Sequence, residues 1–177
     1  LPLVELVPVA AVLGLDLEVL VVDHVRRALE LNITASAEVN GVTFASDAPR
    51  IDLRPGATDA EVRALPDSPL QASDVLLSVA ETSPERDEWR AHWRQVRVSV
   101  AAEQFVLLGG RALVYLHVGE YVHGLLCEKG DQVSVPAGTP YWLDIGEHPR
   151  CLLLHRTTQP AMPGDTALAA RFPELDD

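Results

Sequence analysis

The sequence predicts a mainly β chain with an α-helical N-terminal part, folded as a single domain. Three observations carry that expectation. From Val96 onward the chain breaks into short β-prone runs separated by glycine turns. Upstream of Val96, helical spacing and helix-capping signals recur. Apolar residues make up 47% of the 177 residues, which is enough to build a real core and is unlike a disordered chain.

Each element follows from local chemistry. Between Asp16 and Leu31, apolar residues at Leu17, Leu20, Val21, Val25, Ala28 and Leu29 repeat at helical spacing, with Arg26, Arg27 and Glu30 on the other side. "NGVTF" (40–44) reads as a turn entering a short strand. Thr58 and Glu61 form a capping box that opens a short helix, which Pro66 ends. Ser83 as N-cap and Pro84 at the first helical position predict a helix running to about Val96. "VRVSVAAEQFVLLGG", "RALVYLHVG", "EYVHGLLCE", "KGDQVSVPAG", "YWLDIG" and "PRCLLLHRTT" follow as strands of a small antiparallel barrel or sandwich. The tail mixes turns with a short helix. Residues 1–95 are thus expected as an α-rich buttress with leading strands, 96–158 as the core barrel and 159–177 as the C-terminal tail.

Charge and composition exclude several functions. The formal net charge is −12, and Lys129 is the single lysine. No basic cluster is present to replace counterions, so nucleic acid and anionic membrane are not expected partners. A small-molecule substrate is expected instead, and a homodimer docked through an edge strand is compatible with the pattern. Cys127 and Cys151 lie in apolar runs and read as buried free thiols, not a disulfide framework. The N-terminal stretch is apolar but holds Pro2, Glu5, Pro8, Asp16 and Glu18, with no basic n-region and no uninterrupted membrane-length span. The expectation is a cytoplasmic protein.

"LHVGEYVHGLLCEKGDQVSVPAGTPYWLDIGEHPR" (116–150) is the most specific stretch of the chain. It resembles the acireductone dioxygenases, a cupin family. Weaker similarity extends to "DVLLSVAE" (74–81), the helix after it and the "GVTF" strand. The resemblance implies a cupin-type barrel, a double-stranded β-helix of antiparallel strands. It also implies a metal site. In that family one strand carries His-x-His-x-x-x-Glu and a later strand adds one more histidine. The four side chains grip Fe²⁺ or Ni²⁺, which binds an enediol substrate and assists attack by O₂. Alternate residues on a strand face the same side, so His-x-His aims both rings inward.

The register runs to this sequence without a gap. The family glutamate falls on Glu103. The three histidines fall on Arg97, Ser99 and Tyr141. A substrate-holding arginine falls on Phe105, and Trp142 matches the family tryptophan. Arg97 is a permanent cation and cannot ligate. The expected catalytic cluster is therefore Arg97, Ser99, Glu103 and Tyr141, with Glu103 ion-paired to Arg97 and no metal. Phe105, Leu107, Tyr115 and Trp142 are expected to line the substrate space. That set points to a metal-independent cyclase or isomerase, lyase-like, acting on a largely apolar polyketide- or polyene-type intermediate in natural-product biosynthesis. The alternatives are an acireductone-dioxygenase-like metalloenzyme with substituted ligands, and a non-catalytic small-molecule-binding cupin. The metalloenzyme would draw Fe²⁺ or Ni²⁺ to Glu103 with His117, His123 or His155. His24, His92 and His148 are the remaining histidines.

Overall fold

The computed structural model describes residues 7–8, 20–21, 36–39, 41–48, 50–119 and 121–175. One long strand, β7 (Glu103–Val118), organises the fold. Before it come β1 (Val7–Pro8), β2 (Leu20–Val21), the hairpin β3 (Ser36–Val39) and β4 (Val42–Ala45), α1 (Asp59–Arg63), β5 (Val75–Val79), α2 (Arg86–Trp93) and β6 (Arg97–Val98). After it come β8 (Tyr121–Glu128), β9 (Gln132–Val135), β10 (Pro140–Asp144), β11 (Cys151–Thr157), β12 (Met162–Pro163) and α3 (Thr166–Ala169).

The sequence expectation places a break at Gly109-Gly110. The structure runs β7 straight through it and changes partners there. Residues 103–110 pair with β11, and 103–106 also with β9. Residues 111–118 pair with β8, and 113–116 also with β10. Gly110 takes φ +67, so the strand bends from one sheet into the other without a turn. The first sheet runs β5-β11-β7-β9-β4-β3, and the second runs β12-β6-β10-β7-β8 with β1 and β2 beyond. All these pairings are antiparallel except β2 with β8. Between the sheets lies a core of Phe44, Leu77, Phe105, Leu107, Val114, Leu116, Leu125, Val133, Tyr141 and Leu153. This mainly antiparallel barrel is the cupin architecture that the resemblance implied.

Much of the N-terminal part lies outside the described residues. Its described residues give the β3–β4 hairpin to one edge of the first sheet and β5 to the other, with two short helices. The helix expected over residues 16–31 lies mostly outside the described residues. Its Leu20–Val21 pair forms β2. The Thr58 capping box is present, with both reciprocal hydrogen bonds made. The α2 helix starts later than Ser83 suggests. The Ser83 hydroxyl accepts from the Ala80 amide at 2.9 Å, which closes a turn and leaves no cap to offer. Among the described residues, no helix is long and apolar enough to cross a membrane. Cys127 and Cys151 are buried and not joined in a disulfide, as expected.

Two buried carboxylates lock the periphery onto the barrel. Asp144 accepts from Arg90 at 2.9 and 3.4 Å and from the Leu175 amide at 2.9 Å, which ties α2 and the C-terminal tail to β10. Asp74 accepts from Arg156 at 3.0 and 2.8 Å. Burial disfavours both charged forms, but the guanidinium and amide donors outweigh it and hold both carboxyls below the usual range. A depressed carboxyl stabilises the fold above its unfolded pKa of about 3.9 and loses that contribution as pH falls through the lower folded value. Stability is therefore expected to hold down to about pH 4 and then drop. Urea titrations between pH 6 and pH 2.5 check this, and Asp144→Asn is expected to flatten the acid limb.

Candidate functional site

Strand pairing decides which predicted residues meet. Tyr141 on β10 pairs with Arg97 on β6, and directly paired residues share a face. His155 on β11 pairs with Phe105 on β7. Glu103 lies two residues before Phe105, so it shares that face. These side chains meet at one end of the barrel interior, where α2 covers them. Phe105 stacks on His155 with centroids 4.8 Å apart and planes 9° from parallel. Tyr141 stands 5.2 Å from Phe105. Trp93 of α2 closes edge-on over His155 at 5.3 Å.

Glu103 does not pair with Arg97, as the sequence suggested. Its Oε2 is 2.9 Å from His155 Nε2, and its side chain has no exposed surface. The Arg97 guanidinium turns to α2 instead. It donates to His92 Nε2 at 2.8 Å and to the His92 carbonyl at 3.0 Å, and it lies 5.5 Å above the Trp93 ring. Arginine only donates, so His92 must accept through Nε2 and carry its proton on Nδ1. Burial, together with the charge of Arg97, lowers the His92 pKa and keeps the ring neutral. With the cation drawn aside, the Glu103 charge is left to its other neighbours.

Several buried polar atoms at this end have no hydrogen-bond partner: Trp93 Nε1, Arg97 Nε, Ser99 Oγ, Glu103 Oε1 and the Tyr141 hydroxyl. Unmet buried groups are costly, typically about 1–3 kcal/mol each. Concentrated at one place, they mark where a ligand or ordered water belongs. Burial raises the Tyr141 pKa, and the adjacent Glu103 carboxylate raises it further against a weaker opposite pull from Arg97. Tyr141 is therefore a neutral phenol near pH 7. Its hydroxyl stands beside Glu103 without closing an aligned hydrogen bond.

The expected lining residues divide between two faces. Leu107 belongs to the interior core with Phe105. Tyr115 and Trp142 do not join them. They stack on each other at 4.8 Å and pack on Phe172 outside the barrel, under the C-terminal tail. Both are odd-parity neighbours of interior residues, Leu116 and Tyr141, so the pleat turns them away. The sequence reading also left out His92 and Trp93. Their positions on α2 flank a helix face that only the barrel contact reveals. His155 was one of several equivalent histidines until its pairing with Phe105 singled it out. Among the described residues, no three His, Cys, Asp or Glu side chains converge as metal ligands.

No family model matches the chain. An acireductone dioxygenase of Methylococcus capsulatus is 31% identical over 155 residues, covering 85% of this chain and 83% of the relative. One from Pseudomonas fluorescens (strain Pf-5) is 37% identical over 111 residues, covering 60% of this chain and 61% of the relative's length. A solved acireductone dioxygenase from Bacillus anthracis, with cadmium ion in its active center, covers 82% of this chain and 86% of its own at 12% identity and TM-score 0.47.

Proposed function

Because this chain belongs to the acireductone dioxygenase family, we propose that it is an acireductone-dioxygenase-like metalloenzyme with a substituted ligand set. The relatives overturn the expectation of a metal-independent cyclase or isomerase working on an apolar polyketide- or polyene-type chain. They are named for dioxygenation of acireductone, at 30–37% identity. The expectation of no cofactor falls with it, since the family's reaction is built on a bound ion.

The residues present fit such an ion only as a changed set. Glu103 and His155 would hold it, with the phenolic oxygen of Tyr141 as third donor. The observation that carries this reading is the orphaned Glu103 Oε1 and Tyr141 hydroxyl, buried beside a carboxylate–imidazole pair 2.9 Å apart. Carboxylate, imidazole and phenolate oxygen or nitrogen donors suit first-row ions such as Fe²⁺ or Ni²⁺. When bound, the ion would supply Lewis-acid polarisation of an enediol and a route for O₂ to it. The remaining chemistry belongs to the chain. Arg97 Nε and Trp93 Nε1 are donors placed to take anionic oxygens of an enediolate. His92 and the Trp93 ring fix the Arg97 guanidinium in place. The Phe105–His155 stack and the Trp93 edge keep bulk water out, which strengthens every polar contact inside.

Tyr141 must release its proton to serve as a donor. Metal affinity is therefore expected to rise with pH across pH 6–9, and Tyr141→Phe is expected to lower the slope. Chelator competition at several pH values measures this. The functional test is to load the purified protein with Fe²⁺ or Ni²⁺ and follow the loss of enediol absorbance of a synthetic acireductone in air. The expected result is about one ion per chain and turnover that stops on chelation. No stoichiometric metal at any pH in that range would reject this reading.

A further inference from the structure

We infer that His123 is a ligand-binding residue of the barrel interior, presenting its imidazole to an oxygen of the bound enediol. This rests on the proposed function and extends it to a side chain outside the Glu103–His155–Tyr141 group. His123 lies on β8 and pairs with Leu116 on β7, Leu116 pairs with Tyr141 on β10, and Tyr141 pairs with Arg97 on β6. Directly paired residues share a face, so these four side chains form one row across the sheet. The row faces inward: Leu116, Tyr141 and Leu125, the residue two beyond His123, all belong to the interior core. The flanking Val122 belongs to the outer cluster with Tyr115 and Trp142.

His123 is 1% exposed, and neither of its ring nitrogens has a hydrogen-bond partner. An apolar residue would fill this place without that cost, as Leu116 does beside it. Burial lowers the His123 pKa, so near pH 7 one nitrogen accepts and the other donates. That pair of roles matches a hydroxyl or enol oxygen. His123 stands two strand spacings from Tyr141, about 10 Å between backbones. Leu116 lies between them in the row, so a small polyoxygenated molecule seated over Leu116 would meet both side chains from the same wall.

The test is anaerobic binding of a short-chain acireductone, a 1,2-dihydroxyalk-1-en-3-one, to Zn²⁺-loaded wild type and His123→Leu. Zn²⁺ is redox-inert, so binding is read without turnover. His123→Leu is expected to bind about 10-fold more weakly. Its Tm is expected to match or exceed that of wild type, because unmet nitrogens are removed. Unchanged affinity in a folded His123→Leu overturns this inference and leaves the proposed function standing. Failure of wild type to bind the acireductone overturns both. Imidazole ¹⁵N spectra of wild type give the same test without substitution, should His123→Leu fail to fold. Movement of the His123 resonances on adding the acireductone supports the inference. Static resonances, as a buried structural water would give, overturn it.

Discussion

Glu103→Gln is expected to weaken Fe²⁺ or Ni²⁺ binding by at least ~100-fold while leaving the fold intact. Loss of groups that merely support a metal ligand already costs about 10–100-fold, and Glu103 is proposed as a ligand itself. Its carboxylate touches His155 and stands beside Tyr141. Glutamine keeps the shape and a hydrogen bond to His155 Nε2, but removes the negative charge that a divalent ion needs. The fold has little to lose. The carboxylate is buried with one oxygen unpartnered, and a neutral amide is cheaper to bury. The Tm is expected to stay within about 2–4 °C of wild type, the shift that 1 kcal/mol produces in a domain of this size. Chelator competition reads the affinity, and calorimetry reads the Tm. Wild-type affinity in the variant would remove Glu103 from the site.

Gly110→Ala is expected to be the most damaging single substitution of the barrel. A Cβ at Gly110 would lie 1.6 Å from the Arg150 carbonyl oxygen and 2.5 Å from its carbon. Those are backbone atoms held in place, since Arg150 oxygen accepts from the Arg111 amide at 3.0 Å and Cys151 pairs with Gly110. Neither partner can move without opening the β7–β11 ladder. Gly119 provides the control. Its φ of +64 nearly equals the +67 of Gly110, yet among the described residues no atom beyond its chain neighbours lies within 4 Å of its Cβ position. Gly119→Ala should cost only the left-handed backbone strain, about 1–2 kcal/mol. Gly110→Ala adds the clash, and a loss of at least ~4 kcal/mol is expected, read as insoluble protein or a Tm lower by roughly 8–16 °C. Equal melting temperatures for the two variants would show that the bend relaxes at no cost.

The sequence by itself determined the strand-rich C-terminal half, the capping box at Thr58 and the family. These are local matters: alternation, turn residues and a gap-free register can be read one stretch at a time. It also placed Arg97 and Tyr141 on one face, because their roles in the family motif require it. Only the tertiary structure decided the partners. Glu103 and Thr157 sit opposite each other across the β7–β11 ladder, which brings His155 to Glu103 from 52 residues away. Arg97 had a nearer partner in His92, five residues back, but only once α2 folded over the barrel end. Tyr115 and Trp142 read as pocket aromatics until the pleat sent them outward to Phe172. Residue type tells what a side chain can do. Which face it occupies, and which distant strand lies beside it, depends on pairings that a linear pattern does not contain.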